Sequence, residues 1–231
     1  MAKTSIAWCT HSLNFVKWYC TRISPGCKNC YMLELAKRYP QNASEGFVWR
    51  KNAMPEMMGF PAGAEVFVGD MYDLFHEEMP LRYMHWHFNA MAVRPDITFL
   101  LLTKRIERAY YLSRYFNWTP NIWLGTSVEN ADYTWRIDWL KRIPAMHKYL
   151  SIEPLLGPLG KISLKGIDGV ITGAESGLFR RPFDPQWAEN IRHQASYYGS
   201  AFFHKQGSDQ YPGKNRLLFG QTYDDLAWRK R

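Results

Sequence analysis

Six short apolar runs, each followed by a longer amphipathic stretch, restrict the folds open to this chain more than any other feature. The runs cover 65–69 (EVFVG), 97–103 (ITFLLLT), 121–126 (NIWLGT), 148–152 (KYLSI), 168–173 (DGVITG) and 201–205 (AFFHK), and a less sharply marked first strand lies somewhere in 6–16. They are near-continuous rather than alternating, as strands covered on both faces are. Between them, apolar residues at helical spacing predict helices over 30–39, 81–93, 106–116, 131–142 and 185–198. The last opens with Asp184-Pro185, an N-cap followed by a first-turn proline. Strand–helix alternation on this scale implies a parallel sheet. The expected fold class is α/β, a partial or complete (β/α) barrel of six to seven units, preferred over an open doubly wound sheet. Residues 1–231 read as one domain, with a cysteine loop at 20–30 and a short C-terminal extension over 207–231.

No apolar run reaches membrane-spanning length, and the start, MAKTSIAWCTHSLNF, lacks the charged-then-apolar layout of a secretory leader. The expectation is a cytoplasmic protein with no membrane partner. Lys and Arg outnumber Asp and Glu by 29 to 21, a net charge of +8. That balance favours a polyanionic partner through counterion release, and it equally describes an ordinary basic enzyme.

In parallel β/α architectures chemistry gathers at the carboxyl ends of the strands. Polar residues stand there after each run: Asp70 and Asp73, Lys104 and Arg105, Ser127 and Glu129, Glu153, Glu175 and Ser176, and Lys205 and Gln206. Helix capping and turn formation are the competing roles for Glu129 and Asp73.

Four cysteines at 9, 20, 27 and 30 precede two hundred cysteine-free residues. A secreted disulfide framework would spread its cysteines through a small chain, so this clustering points to metal. Cys20, Cys27 and Cys30 have the spacing C-x6-C-x2-C, and Pro25-Gly26 supplies a turn that can fold Cys20 back toward the later pair. Three thiolates on a four-iron cube would leave one iron unligated by protein, and an open position is what catalysis requires. The alternative from spacing alone is a structural zinc site closed by Cys9 or His11, and reduced structural thiols are a third reading.

Taken in order, SPGCKNCY, DLFHE, LTKR, SIEPLLGP and GAESG resemble successive blocks of a phage and bacterial protein family of unknown function with a radical-SAM-like three-cysteine motif. The resemblance runs from about Ser5 to Asp225. It implies a radical-SAM-type β/α barrel with a [4Fe-4S] cluster on Cys20, Cys27 and Cys30. S-adenosylmethionine would sit on the open iron, and an electron donor such as flavodoxin or ferredoxin would reduce the cluster. By the same analogy Gly169 to Glu175 is similar to the glycine-rich strand that packs on adenine, with Gly173 and Glu175 beside the cofactor. Asp70 and Asp73 would meet its amino group, and Ser127, Glu129 and Glu153 its ribose or methionyl part. Lys104, Glu153 and Lys205 would serve catalysis. The chain departs from the superfamily in its six-residue first cysteine spacing, and from its relatives in Leu13-Asn14-Phe15 and Gly207.

The phage association and the charge point to DNA as substrate, with a base flipped out of the duplex or presented in single strands. One version is isomerisation of an amino-acid-derived substituent on hypermodified thymidine, in an infected host cell. Lys104, Arg105, Arg180, Arg181 and Lys205 are candidate contacts to phosphate or to a substrate carboxylate. The rivals are a radical enzyme acting on tRNA, a DNA-repair lyase, and a non-catalytic zinc-stabilised nucleic-acid-binding protein.

Overall fold

The computed structural model describes residues 4–229. Seven strands form one sheet in chain order, every neighbouring pair parallel. They are β1 (His11–Leu13), β2 (Glu65–Val68), β3 (Thr98–Thr103), β4 (Ile122–Ser127), β5 (His147–Ile152), β6 (Gly169–Gly173) and β7 (Ala201–Gln206). Among the described residues β1 and β7 do not pair with each other, so the sheet is a half-barrel. This is the α/β class, in the partial form of the two expected from the strand pattern.

The helices are α1 (Tyr31–Arg38), α2 (Ala53–Met58), α3 (Leu81–Ala92), α4 (Ile106–Ser113), α5 (Trp135–Arg142) and α6 (Pro185–Tyr198). Helix α6 starts as its sequence dictates: the Asp184 carboxylate accepts from the Gln186 N–H at 2.9 Å, and Gly199 ends it at φ 70°. Two details depart from expectation. Helix α2 carries Pro55 and too few residues to show a period. The segment expected as one helix over 131–142 divides into a 3₁₀ turn, Ala131–Tyr133, and α5. No helix joins β5 to β6, because two prolines and three glycines interrupt 153–168. No helix of the described residues is long and apolar enough to cross a membrane.

Alternation along each strand divides the core in two. Val66, Phe99, Leu101, Leu124, Leu150 and Val170 face outward against Met84, Phe88, Met91, Ile106, Ile137, Leu140 and Ile191 of the helices. Phe67, Leu100, Trp123, Tyr149, Ile171 and Phe203 face inward and pack on one another. A Cβ at Gly125 would lie 2.4 Å from the Tyr149 ring, so the missing side chain on β4 is what lets that ring cross the barrel. Its hydroxyl then donates to the Leu101 carbonyl at 2.9 Å.

The carboxyl-terminal segment is part of this core. Leu226 and Trp228 fill the amino-terminal end of the half-barrel beside Trp8, and Trp228 Nε1 donates to the Trp8 carbonyl at 3.2 Å. Arg229 pairs with Glu65 at 2.7 Å, so the last residues seal the end of the barrel opposite the strand carboxyl ends.

Candidate functional site: a cysteine loop held by three carboxylates

The cysteine loop follows β1 and crosses the carboxyl ends of the strands. Pro25–Cys27 form a 3₁₀ turn, and Cys30 is the N-cap of α1. All four cysteines are free thiols; Cys20, Cys27 and Cys30 are partly exposed and Cys9 is buried.

Three acidic residues, one after each of β2, β4 and β6, anchor this loop from below. Asp73 accepts from Thr103 Oγ1 at 2.7 Å, from the N–H groups of Phe75 and Lys104 at 3.0 and 3.1 Å, and from Arg105 Nη1 at 3.2 Å. Arg105 thereby reaches the loop: Nη2 donates to Thr21 Oγ1 at 2.9 Å and to the Thr21 carbonyl at 3.3 Å, and Nη1 lies 3.9 Å from Cys20 Sγ. Glu77 takes the remaining Nε–H at 2.7 Å. Buried His76 completes this corner. Its Nδ1 accepts from the Glu78 N–H, which leaves the proton on Nε2 to donate to Thr21 Oγ1 at 2.7 Å. Burial and the Arg105 charge hold its pKa below the ordinary histidine value, consistent with that neutral form.

Glu129 is fully buried beneath the turn. It accepts from Ser24 Oγ at 2.5 Å and pairs with buried Arg136 at 2.9 Å. Gly26 lies against it, with no room for a side chain between them. The turn expected at Pro25-Gly26 is present, and the glycine in it is needed for close approach to Glu129. Glu175 accepts from Asn29 Nδ2 at 3.1 Å and from the Arg181 N–H and Nε at 2.9 Å each, and Arg181 Nη2 reaches the Pro25 carbonyl at 2.9 Å. Charge-assisted bonds of this kind are the strong ones.

Asp73, Glu129 and Glu175 were expected beside a cofactor. In the structure their oxygens accept from protein donors that tie the cysteine loop. Arg105 and Arg181, expected at phosphate or substrate carboxylate, hydrogen-bond within this scaffold. Ser24, Asn29, Arg136 and His76 belong to it as well and were not foreseen. Ser24 and Asn29 lie inside the SPGCKNCY block, the one sequence signal that pointed to them; Arg136 carried none.

A second set lies at the mouth formed by the strand carboxyl ends. Lys104 Nζ donates to Ser127 Oγ at 3.3 Å, and Lys205 Nζ pairs with Glu153 Oε1 at 2.6 Å. Gly173 lies beside that pair, where a Cβ would come 3.2 Å from the Glu153 carboxyl carbon. Gly69 turns the chain out of β2 at φ 82°, and Asp70 follows, accepting from Asn14 Nδ2 at 2.6 Å. Burial raises the Asp70 carboxyl above its ordinary value despite the Asn14 and Ser12 bonds. The Tyr31 hydroxyl donates to the Asp70 carbonyl at 2.8 Å, and Asp70, Cys30 and Glu153 all act on it electrostatically. Asp70, Lys104, Ser127, Glu153, Gly173 and Lys205 thus follow or end their strands on this side, with Lys104 acting on Cys27, and Asp70 and Glu153 on Tyr31 next to Cys30, while Ser127 and Gly173 are buried.

The thiols differ in character. Burial pushes Cys20 up to about 11, with the Asp73 charge adding and Arg105 opposing. Burial also raises Cys27, but the Lys104 charge and hydrogen bonds at Ile23 and Ser24 outweigh it, and the net shift is downward. Cys9 lies among Trp8, Phe67 and Tyr149 in the inner core, where desolvation lifts it to about 12. The His11 ring packs tilted against Phe60.

These placements bear on what the loop can hold. Zinc needs four donors about 2.3 Å (for sulfur) from one point. Among the described residues no three His, Cys, Asp or Glu side chains converge in that way, and Cys9 lies in apolar surroundings. A four-iron cube presents separate corners and asks for three soft thiolates, not for convergence on a point. The donor set fits such a group: three free thiols on one loop, with Lys104 and Arg105 beside Cys27 and Cys20 to offset negative charge.

No curated protein and no solved structure matches the chain. A family model described as "Protein of unknown function (DUF5131)" matches residues 3–230, and the chain belongs to that family.

Proposed function

We propose that this protein is a radical S-adenosylmethionine enzyme acting on a nucleobase of DNA. In this reading Cys20, Cys27 and Cys30 hold a [4Fe-4S] cluster. The group supplies one electron, drawn from a flavodoxin- or ferredoxin-type donor, to cleave the sulfonium C–S bond of S-adenosylmethionine into methionine and a 5′-deoxyadenosyl radical that takes a hydrogen atom from substrate. The protein's own task is to bind, orient and exclude water.

The observation that carries the reading is the scaffold: three free thiols on one loop, tied by carboxylates from three separate strands at the strand carboxyl ends. A loop needed only for stability has no use for partly exposed thiols beside two cations. Asp70, with one oxygen accepting from Asn14, suits the cofactor's ammonium group, and Ser127 a ribose hydroxyl. Lys104, Glu153 and Lys205 remain for the substrate. Gly173 lets the Glu153 carboxylate lie close against β6, where a Cβ would come 3.2 Å from it. Isomerisation of an amino-acid-derived substituent on hypermodified thymidine is the version that uses both charges of the Glu153–Lys205 pair.

Anaerobic reconstitution tests the proposal. The expected product is a brown protein holding about four irons and four sulfides, which converts S-adenosylmethionine to 5′-deoxyadenosine on reduction, with Cys27→Ala inactive. A colourless protein with one zinc per chain, or full cleavage by Cys27→Ala, overturns it. Labelled cofactor with phage DNA as substrate, against tRNA, decides the substrate class.

A further inference from the structure

On the rim of the mouth the loop Gly177–Arg181 carries two apolar side chains with almost no cover: Leu178 is 71% exposed and Phe179 85%. The backbone beneath them is firmly tied. Asn29 Nδ2 donates to the Phe179 carbonyl at 2.9 Å, Arg180 Nη1 to the Gly177 carbonyl at 3.0 Å, and the Gly177 N–H to the Asp209 carbonyl at 3.1 Å. Arg181, two residues on, is fixed to Glu175 and Pro25. A tethered loop that offers a phenyl ring to water is built for something that covers it.

The surrounding charge says what. Lys28, Arg180 and Lys214 stand exposed on the three segments that meet here, and among the described residues none of them pairs with a carboxylate. The acids nearby are engaged: Glu175 with Arg181, and Asp209 with Asn215 Nδ2 and the Tyr211 N–H. Tyr211, 62% exposed, adds a second ring on the neighbouring loop. Aromatic faces set among unpaired cations are the combination that binds nucleic-acid strands, rings stacking on bases and cations on phosphates.

We propose that Phe179 is a base-stacking wedge for DNA, with Lys28, Arg180 and Lys214 holding the adjoining phosphates. The idea rests on the DNA reading above and adds the surface that would carry it. Because the loop is tied to Asn29 of the cysteine loop, a strand stacked on Phe179 is brought to the mouth in which the cysteines lie. In a duplex the ring would fill the gap left by an extruded base.

The test uses the purified full chain without cofactor and fluorescence anisotropy of a labelled 20-nucleotide single strand and its duplex, over a salt series. The wild type should bind both with an affinity that falls steeply with salt. Phe179→Ala should weaken binding about tenfold or more, Phe179→Trp should retain it, and Arg180→Gln should lower the salt slope by about one. Unaltered thermal melting would show that these exposed positions leave the fold intact. Binding by Phe179→Ala equal to wild type at every salt overturns the wedge while leaving the DNA reading in place. No binding by the wild type at low salt, or tighter binding of an RNA strand of the same sequence, overturns both.

Discussion

The buried carboxylate of Glu129 lies directly against Gly26: a Cβ built on the glycine would stand 2.6 Å from Oε1 and 2.7 Å from Cγ. The acid cannot step aside, because Arg136 and Ser24 hold it. Gly26→Ala should therefore lift the cysteine turn off the sheet, at a cost of about 1–3 kcal/mol by overpacking. Iron uptake on reconstitution should fall with it. Urea unfolding and iron content check this, with Gly46→Ala as control, since nothing lies within 4 Å of a Cβ there.

Lys104 favours the Cys27 thiolate, and removing its charge raises that thiol's pKa. The thiolate is the nucleophile. In the metal-free protein, iodoacetamide at pH 7.5 should label Cys27 ahead of Cys20, whose pKa is pushed to about 11. Lys104→Met should slow Cys27 labelling by roughly 3–10-fold. Peptide mapping by mass spectrometry reads both; equal rates at the two cysteines would contradict the assignment.

Two buried histidines make the fold acid-sensitive. His87 accepts from the Tyr72 hydroxyl at 2.7 Å through Nε2 and donates from Nδ1 to the Tyr83 carbonyl at 2.6 Å; burial lowers its pKa to about 4. Burial and the Arg216 charge take His204 to about 4 as well. The unfolded chain protonates both near 6.5, so between 6.5 and 4 it binds more protons than the folded one. Stability is then complete above pH 6.5 and lost as pH falls toward 4, by up to about 3 kcal/mol per histidine. The raised Asp70 acts in the opposite direction at the acid end of that range. Urea midpoints at pH 7.0 and 5.0 measure the loss, and a His87→Gln, His204→Gln double variant should show a flatter profile.

Trp228 is 5% exposed and packs edge-on against Trp8, Trp123 and Tyr149. Trp228→Ala should cost about 3–5 kcal/mol, the range for a large aromatic removed from a core. A change in melting temperature no larger than that of an exposed control such as Tyr197→Ala would show that the carboxyl-terminal segment does not close the barrel.

The strands, most of the helices and the three-cysteine loop follow from local pattern. Near-continuous apolar runs mark strands covered on both faces, Asp184-Pro185 marks a helix start, and polar residues after each run mark the strand ends. These are properties of neighbours in the chain, and a chain displays them without folding. What only the tertiary structure decided is which strand-end acids face the mouth and which hold the loop. Ser24 and Glu129 are 105 residues apart, Asn29 and Glu175 146, and Pro25 and Arg181 156. A carboxylate's direction depends on donors brought to it by that folding, so Asp70 and Glu153 look no different in sequence from Asp73, Glu129 and Glu175.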